Sequence, residues 1–228
     1  MATVKRIVCL AKSRMWKGNC IAGREFEVGK LGAWIRPVSK RKHQEISDQE
    51  CKYTDHGSPN LLDIIDVPLL GRLPKGHQQE NWLVDSKGTW AKTGRMSWDE
   101  LIHFADNGDS LWVNGYKTAK GINDQVPVEH MLGIGNSLTL IYVEGLSIRI
   151  LTEGADYGEP RQRVQGAFRF SNAQYRIKIT DHSIEDRYSG QTDGVFRVGE
   201  CLLTVSLAAD PFFGNHYKLI AGVMEKTA

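Results

Sequence analysis

The sequence lacks the features that identify membrane-spanning proteins and the commonest classes of enzyme. No apolar run approaches the roughly 18 residues that a bilayer-spanning helix needs, and the short apolar run at residues 7–11 is soon followed by charge. The cysteines show no CxxC spacing, and there is no HExxH, P-loop or GxSxG motif. These absences predict a cytoplasmic protein with reduced cysteines, no zinc site and no membrane association.

Acidic residues are scarce in two parts of an otherwise nearly neutral chain. Residues 1–42 contain eleven Lys or Arg residues and only two acids, whereas residues 43–135 contain eight basic and fourteen acidic residues. A second stretch, residues 161–178, is basic and contains no acid. The asymmetry predicts an anionic partner, although solvated strand and loop faces explain such patterns equally well.

The first half of the chain has the pattern of short strands separated by turns. Candidate strands occur at residues 5–11, 19–26, 32–38 and 61–70, and Pro37 marks a strand end or an edge. Short strands at short spacing predict a small barrel or sandwich.

One helix is expected, at residues 97–107. Ser97 and Glu100 have the spacing of a capping box, apolar residues recur at helical intervals, and Asn107 followed by Gly108 provides a stop.

The second half of the chain reads almost entirely as strands. The segments at residues 168–170 and 175–179 alternate apolar and basic residues around a turn at residues 171–173, which predicts a hairpin with Arg169, Arg176 and Lys178 on one side. The expected fold is mainly β: two tandem small OB-like β-barrels with one or two short helices, at residues 1–135 and 136–228.

Several segments together resemble one known family. They are RIVCLAKSR (6–14), GNCIAG (18–23), WIRPVS (34–39), LLDIIDVPL (61–69), HQQENW (77–82), YRIKITD (175–181), LTVSL (203–207) and YKLIAG (217–222). The chain thereby resembles the bacterial dual OB-containing domain family. The resemblance implies two tandem OB-like barrels, nucleic-acid binding, and association with prokaryotic conflict and antiviral defence systems, with an operon-encoded effector as a possible partner.

A basic and aromatic set near the start of the chain is the first candidate binding site. Bases stack on aromatic rings while Lys and Arg contact phosphates, as a single-strand binder requires. The set is Lys12, Ser13, Arg14, Trp16, Lys17, Asn19, Trp34 and Arg36.

Arg36 is the sharpest prediction within this set. Trp34 and Arg36 share one face of a strand whose core residues are expected to be Ile35 and Val38, so the Trp34 and Arg36 side chains are expected to face a ligand groove. The alternative is that Arg36 pairs with a buried carboxylate such as Asp63 or Asp66.

Three further clusters have a structural reading and a functional one. Gln78 and Asn81 in the GHQQEN segment suit base edges or a local turn. Residues 181–186 (DHSIED) contain metal-ligand types but also a helix-start pattern. Residues 216–218 (HYK) suit a loop over a ligand or an ordinary turn into the last strand. The hairpin cations Arg169, Arg176 and Lys178 complete the predicted nucleic-acid-binding set.

The leading prediction is a non-enzymatic module, without metal or cofactor, that binds single-stranded or structured DNA or RNA. One alternative is a sensor that binds a nucleotide or modified base in a closed pocket lined by Trp16, Trp34, Asn81 and arginines. A weaker alternative is a metal-dependent nuclease or nucleotide hydrolase that uses Asp181 and Glu80.

Overall fold

A computed structural model describes residues 2–153 and 161–226. The chain divides into two compact units. The first unit runs to Phe104 and also contains Gly135–Leu138, and the second contains Ala105–Ile134 and the described residues from Thr139 onward.

The first unit is a five-stranded barrel with one added strand. Its strands are β1 (Thr3–Met15), β2 (Gly18–Glu27), β3 (Lys30–Val38), β4 (Asp63–Arg72), β5 (Asn81–Val84) and the added β6 (Ala91–Arg95). The order around the barrel is β1-β2-β3-β5-β4, and β4 pairs back onto β1. The pairing of β3 with β5 is parallel and the other pairings in the barrel are antiparallel.

The second unit repeats this arrangement. Its elements are β7 (Gln125–Pro127), β8 (Leu138–Glu153), β9 (Arg161–Phe170), β10 (Ala173–Ile179), α2 (His182–Tyr188), β11 (Gly194–Leu207) and β12 (Asn215–Glu225). The order is β10-β9-β8-β11-β12, with β10 paired in parallel with β12 and β7 added to β12. A closed Greek-key barrel of five strands is the OB arrangement, and here a helix joins the third strand to the fourth. The predicted mainly β fold of two tandem barrels is confirmed.

Each barrel encloses its own hydrophobic core. The first core contains Ile7, Ile21, Ile35, Ile65 and Trp90. The second is built largely from alternate residues of its strands, among them Ile148, Ile150, Tyr175, Ile177, Ile179 and Ile220. Alternation at a period of two leaves the intervening residues on the outside of the barrel.

A glycine in the second strand of each barrel allows another strand of the same barrel to approach closely. A Cβ at Gly23 would lie 2.0 Å from the carbonyl oxygen of Val8, and one at Gly166 would lie 2.5 Å from Cδ1 of Ile220. Both separations are far shorter than van der Waals contact. A larger residue at Gly23 would have to push the backbone of β1 away, whereas one at Gly166 would require the Ile220 side chain to shift.

The predicted helix is present but shorter than expected. The Ser97–Glu100 capping box is formed, α1 spans Trp98–Leu101, and a 3₁₀ turn, Ile102–Phe104, ends it. Asp106 does not extend the helix, because its backbone N–H and its carboxylate bond the start of β8 at Leu140. A second 3₁₀ turn spans Val128–His130. In the described part of the chain, no helix is long and apolar enough to cross a membrane.

Asp181 fastens α2 to the second barrel. Its side chain caps α2 by accepting the backbone N–H groups of Ser183 and Ile184, and its other oxygen accepts the N–H of Val223 at 2.8 Å. The predicted hairpin is also present, since β9 and β10 pair around a turn at Ser171 and Asn172.

Lys218 lies inside the second barrel. It is 1% exposed, its Nζ donates a hydrogen bond of 2.6 Å to the carbonyl of Val113, and Nζ lies 5.5 Å from the centre of the Tyr175 ring. Burial lowers the pKa of Lys218 from its ordinary value of 10.5 to about 7, although Asp124 acts in the opposite direction. Near neutral pH, burial of Lys218 therefore lowers the free energy of unfolding, because the proton that Lys218 holds in the unfolded chain is partly lost on folding.

We expect the stability of this unit to rise with pH between about 7 and 10 because of Lys218. In that range the unfolded chain holds the Lys218 proton while the folded chain has released it, so the free energy of unfolding increases by up to about 1.4 kcal/mol per pH unit. Urea denaturation of wild type and Lys218→Met at pH values near 7 and 9 measures the difference. The wild type should gain about 2 to 3 kcal/mol relative to the variant.

The matched control is Lys117→Met, since Lys117 is exposed in the same unit. It should follow the pH dependence of the wild type. Parallel pH profiles for wild type and Lys218→Met would contradict the assignment.

Candidate nucleic-acid interface

The register of three strands gathers basic side chains on one outer face of the second barrel. Residues opposite each other on neighbouring strands project to the same side. Arg149 of β8 is opposite Gln165 of β9, which is opposite Lys178 of β10. In the same way Arg169 is opposite Gln174, and Ala167 is opposite Arg176. The rows place six cations together: Arg149, Arg161, Arg163, Arg169, Arg176 and Lys178.

We call this surface the cationic face. The only acidic side chain in its rows of paired residues is Glu153, opposite Arg161. Glu153 accepts a hydrogen bond from Nε of Arg163 at 3.2 Å and lies 3.6 Å from Nζ of Lys120. Within residues 2–153 and 161–226, Arg149, Arg169, Arg176 and Lys178 have no ion-pair partner. The face therefore carries uncompensated positive charge.

Burial and the crowding of like charges both lower the pKa values of cations on this face. Burial, and then the neighbouring Arg149, lower the pKa of Arg176. Burial, and then Arg163, lower the pKa of Lys178, while Glu185 and Glu153 partly oppose the change. An anion bound to the face would relieve this repulsion.

A segment at residues 118–124 lies along one side of the cationic face. The backbone of Ile122 pairs with that of Arg176 in both directions. The carbonyl of Lys120 accepts hydrogen bonds from Arg176 and from Gln165. The segment covers part of the face and leaves Arg169 exposed.

The first barrel presents an aromatic residue at the tip of its β1–β2 hairpin. The tip residues are Trp16 and Lys17, and Trp16 takes a left-handed conformation with φ of 52°. The indole stacks on the His43 ring, with centroids 3.8 Å apart and planes 15° apart. Trp16 is nevertheless 73% exposed, so much of the indole is open to solvent. Arg14, Lys17 and Lys42 are exposed nearby in sequence.

Five of the other nine predicted residues of the first barrel are buried. Asn19 donates hydrogen bonds to the carbonyl of Ile46 and the carboxylate of Asp48, and Asn81 donates one to Gln78. Ser13 is buried as well. Lys12 is half-buried and bonds Ser58, and Trp34 is half-buried. The structure thus leaves Arg14, Trp16 and Lys17 as the accessible members of this set, and binding roles for the others stay predictions.

Arg36 does not face an open groove, contrary to the expectation from the strand pattern. It is 3% exposed, lies 3.2 Å from the carboxylate of the equally buried Glu80, and donates a hydrogen bond of 2.9 Å to Ser137. Ser137 in turn donates to Glu80. The alternative, that Arg36 pairs with a buried carboxylate, is therefore the arrangement found, with Glu80 as the partner. Asp63 pairs with Lys92 and Arg95, and Asp66 pairs with Arg6.

The remaining clusters have structural roles in the described residues. Asp181 caps α2, and no group of three or more His, Cys, Asp or Glu side chains within the described ranges is placed to hold a metal ion. His216, Tyr217 and Lys218 belong to β12, which follows an ordinary turn.

The fold and this surface define a tandem OB-fold protein with a basic outer face. The chain belongs to the dual OB-containing domain family, whose model matches residues 5–223. No curated protein and no solved structure is similar enough to count as a match.

Three of the six cations, Arg149, Arg161 and Arg163, and the neighbouring Gln165 are absent from the binding residues predicted from sequence. Arg149 lies in SIRILTE, where period-two alternation between Ile148 and Ile150 indicates an outward side chain. Gln165 has no such signal, because its importance depends on its position opposite Lys178.

We expect Arg36→Ala to destabilise the first unit by about 3 to 5 kcal/mol, because it leaves Glu80 charged and buried without Arg36. The double variant Arg36→Met/Glu80→Leu should recover most of this loss, since apolar residues of similar size often replace a buried ion pair at little cost. Urea denaturation measures both, with exposed Lys30→Ala on the same strand as the control. An unchanged midpoint for Arg36→Ala would refute the structural role.

Proposed function

We propose that the protein binds single-stranded nucleic acid. The observation that carries the proposal is the cationic face, on which four cations lack an ion-pair partner among the described residues. The second and third strands of an OB barrel form its usual surface for oligonucleotides. Here these strands are β9 and β10, which carry five of the six cations of the face.

The exposed Trp16 supports a single-stranded ligand rather than a duplex. Unpaired bases stack on aromatic side chains, whereas the bases of a duplex are already stacked on one another. His43 supports one side of the indole and fixes its orientation, which reduces the conformational entropy lost on binding. Exposed cations beside the hairpin tip suit the phosphates that flank a stacked base.

The proposal extends to the prokaryotic defence role that the family resemblance implies. In that role the bound strand would be the signal, and an operon-encoded effector would respond to it. The chemistry of the cationic face fits the recognition step of such a system because it reads charge rather than sequence.

We expect Arg149→Ala/Arg169→Ala to weaken binding of an unstructured oligonucleotide and to flatten its dependence on salt. Each phosphate contact to a single strand contributes about −0.7 to the slope of log K against log salt, so loss of two contacts should change the slope by about 1.4. Fluorescence anisotropy across a salt series measures this slope.

The matched control removes two exposed cations that lie outside the rows of the cationic face in the same unit, Lys117→Ala/Arg197→Ala. Both double variants lower the net charge equally, so a general charge effect would affect them equally. Equal slopes for the two would sink the assignment of the cationic face.

Trp16→Ala should weaken oligonucleotide binding about tenfold with little effect on the melting temperature. The expected loss corresponds to the roughly 1 to 3 kcal/mol that one base gains by stacking on an aromatic ring. Trp16→Phe should retain part of the affinity. Binding of Trp16→Ala at wild-type strength would remove the hairpin tip from the interface.

A further inference from the structure

A cavity of about 650 Å³ opens beside the cationic face. Its walls come from the segment at residues 118–124, from the strands β8–β10, and from the turn and strand at residues 212–219. Cavities of this size hold small organic ligands. Its lining includes Glu153, Arg163, Gln165, Lys178, Phe212 and Tyr217.

Two polar groups in this cavity have unused binding capacity. Lys178 is half-buried, and its ammonium has neither a hydrogen bond nor an ion pair within the described residues. Gln165 is 8% exposed and donates its Nε2 to the carbonyl of Lys120, but its Oε1 is buried without a hydrogen-bond partner. A buried carbonyl oxygen without a donor is costly, so these neighbouring groups indicate a ligand with both a negative charge and a donor.

The acidic residues of the cavity already have partners. Glu153 contacts Arg163 and Lys120. Asp124 accepts hydrogen bonds from the backbone N–H and the hydroxyl of Thr118, at 2.8 and 2.7 Å. Glu153 is compensated by cations, whereas Asp124 keeps its charge because its donors are neutral. Lys120, Arg163 and Lys178 outnumber these two carboxylates in the lining, so the cavity keeps a net attraction for an anion.

Aromatic side chains form another part of the wall. The rings of Phe212 and Tyr217 are 6.3 Å apart, and Phe213 packs against Phe212 with ring centroids 4.4 Å apart. Phe212 lines the cavity, is exposed and is not part of the second core, and Phe213 supports it from outside the lining. An aromatic base would cover this surface by stacking.

We propose that the cavity binds a nucleotide through a terminal phosphate monoester. The phosphate pairs with Lys178 and Arg163, the base lies against Phe212 and Tyr217, and Oε1 of Gln165 accepts from an amino or hydroxyl group of the nucleotide. A doubly charged monoester suits two adjacent cations better than an internal diester with a single charge.

Two sources provide this chemistry: a free nucleotide, or the phosphorylated end of a strand that also lies on the cationic face. The second source rests on the proposed function, and the first does not. The probes are therefore AMP and adenosine on one side, and oligonucleotides of about ten adenylates with 5′-phosphate, 3′-phosphate or hydroxyl ends on the other.

Isothermal titration of the wild type should show a preference for a phosphorylated probe of about tenfold or more over its unphosphorylated counterpart. Lys178→Met and, separately, Gln165→Leu should reduce this preference at least several-fold, while Lys117→Met leaves it unchanged. A preference confined to AMP identifies a free nucleotide as the ligand, and one confined to an oligonucleotide identifies a strand end. Circular dichroism verifies that each variant is folded.

The proposal is overturned if no phosphorylated probe is preferred, or if the preference persists in folded Lys178→Met. The hydroxyl-ended oligonucleotide separates this failure from that of the proposed function. If that probe still binds, and Arg149→Ala/Arg169→Ala weakens it, the cationic face stands without the cavity. If AMP is preferred over adenosine and no oligonucleotide binds, the cavity stands without the strand-binding function.

Discussion

Closure of the second barrel is the constraint on which its cationic face depends. The barrel closes through a short parallel pairing in which Lys178 is opposite Leu219 and Ile179 is opposite Ile220. Closure assigns every residue of β10 to one side: Tyr175, Ile177 and Ile179 enter the core, and Arg176 and Lys178 must lie outside. Because β8 and β9 are held in fixed register with β10, their own outward cations are brought alongside. The positive surface is thus a consequence of the same alternation that builds the core.

The two barrels have the same topology, but they place their arginines in opposite environments. The first barrel buries Arg36 and compensates its charge with Glu80 and with Ser137. Such a pair fixes the geometry of its strand, and both side chains are too deeply buried to meet a ligand on an open surface. The second barrel keeps Arg149 and Arg169 outside and gives them no carboxylate among the described residues. Their charge remains available to a partner, and the repulsion between neighbouring cations is reduced only when an anion arrives.

The fold was largely predictable from sequence because the patterns that indicate its strands, helix start and turn are local. Period-two alternation revealed the strands, the capping box revealed the start of α1, and the turn at residues 171–173 revealed the hairpin. The site was less predictable because it depends on which strands become neighbours. The β3 pattern alone predicts that Arg36 faces a ligand groove, yet burial of Arg36 follows from Glu80 and Ser137, which lie far away in sequence. Gln165 likewise acquires meaning only through its position opposite Lys178.

In the proposed recognition of nucleic acid, the cationic face and the cavity beside it contribute different physical terms. The exposed Arg169 acts through water, so its attraction for phosphates is long-ranged, weakened by salt and indifferent to which phosphate is bound. Lys178 and Gln165 are more deeply placed, where hydrogen bonds are stronger and an unmatched group is penalised. The exposed surface would therefore favour any nucleic-acid strand, and the partly buried groups would discriminate between phosphates by charge and geometry. Under the proposed function, an OB barrel that carries both on the same strands would capture a nucleic acid broadly while remaining selective for one position along it.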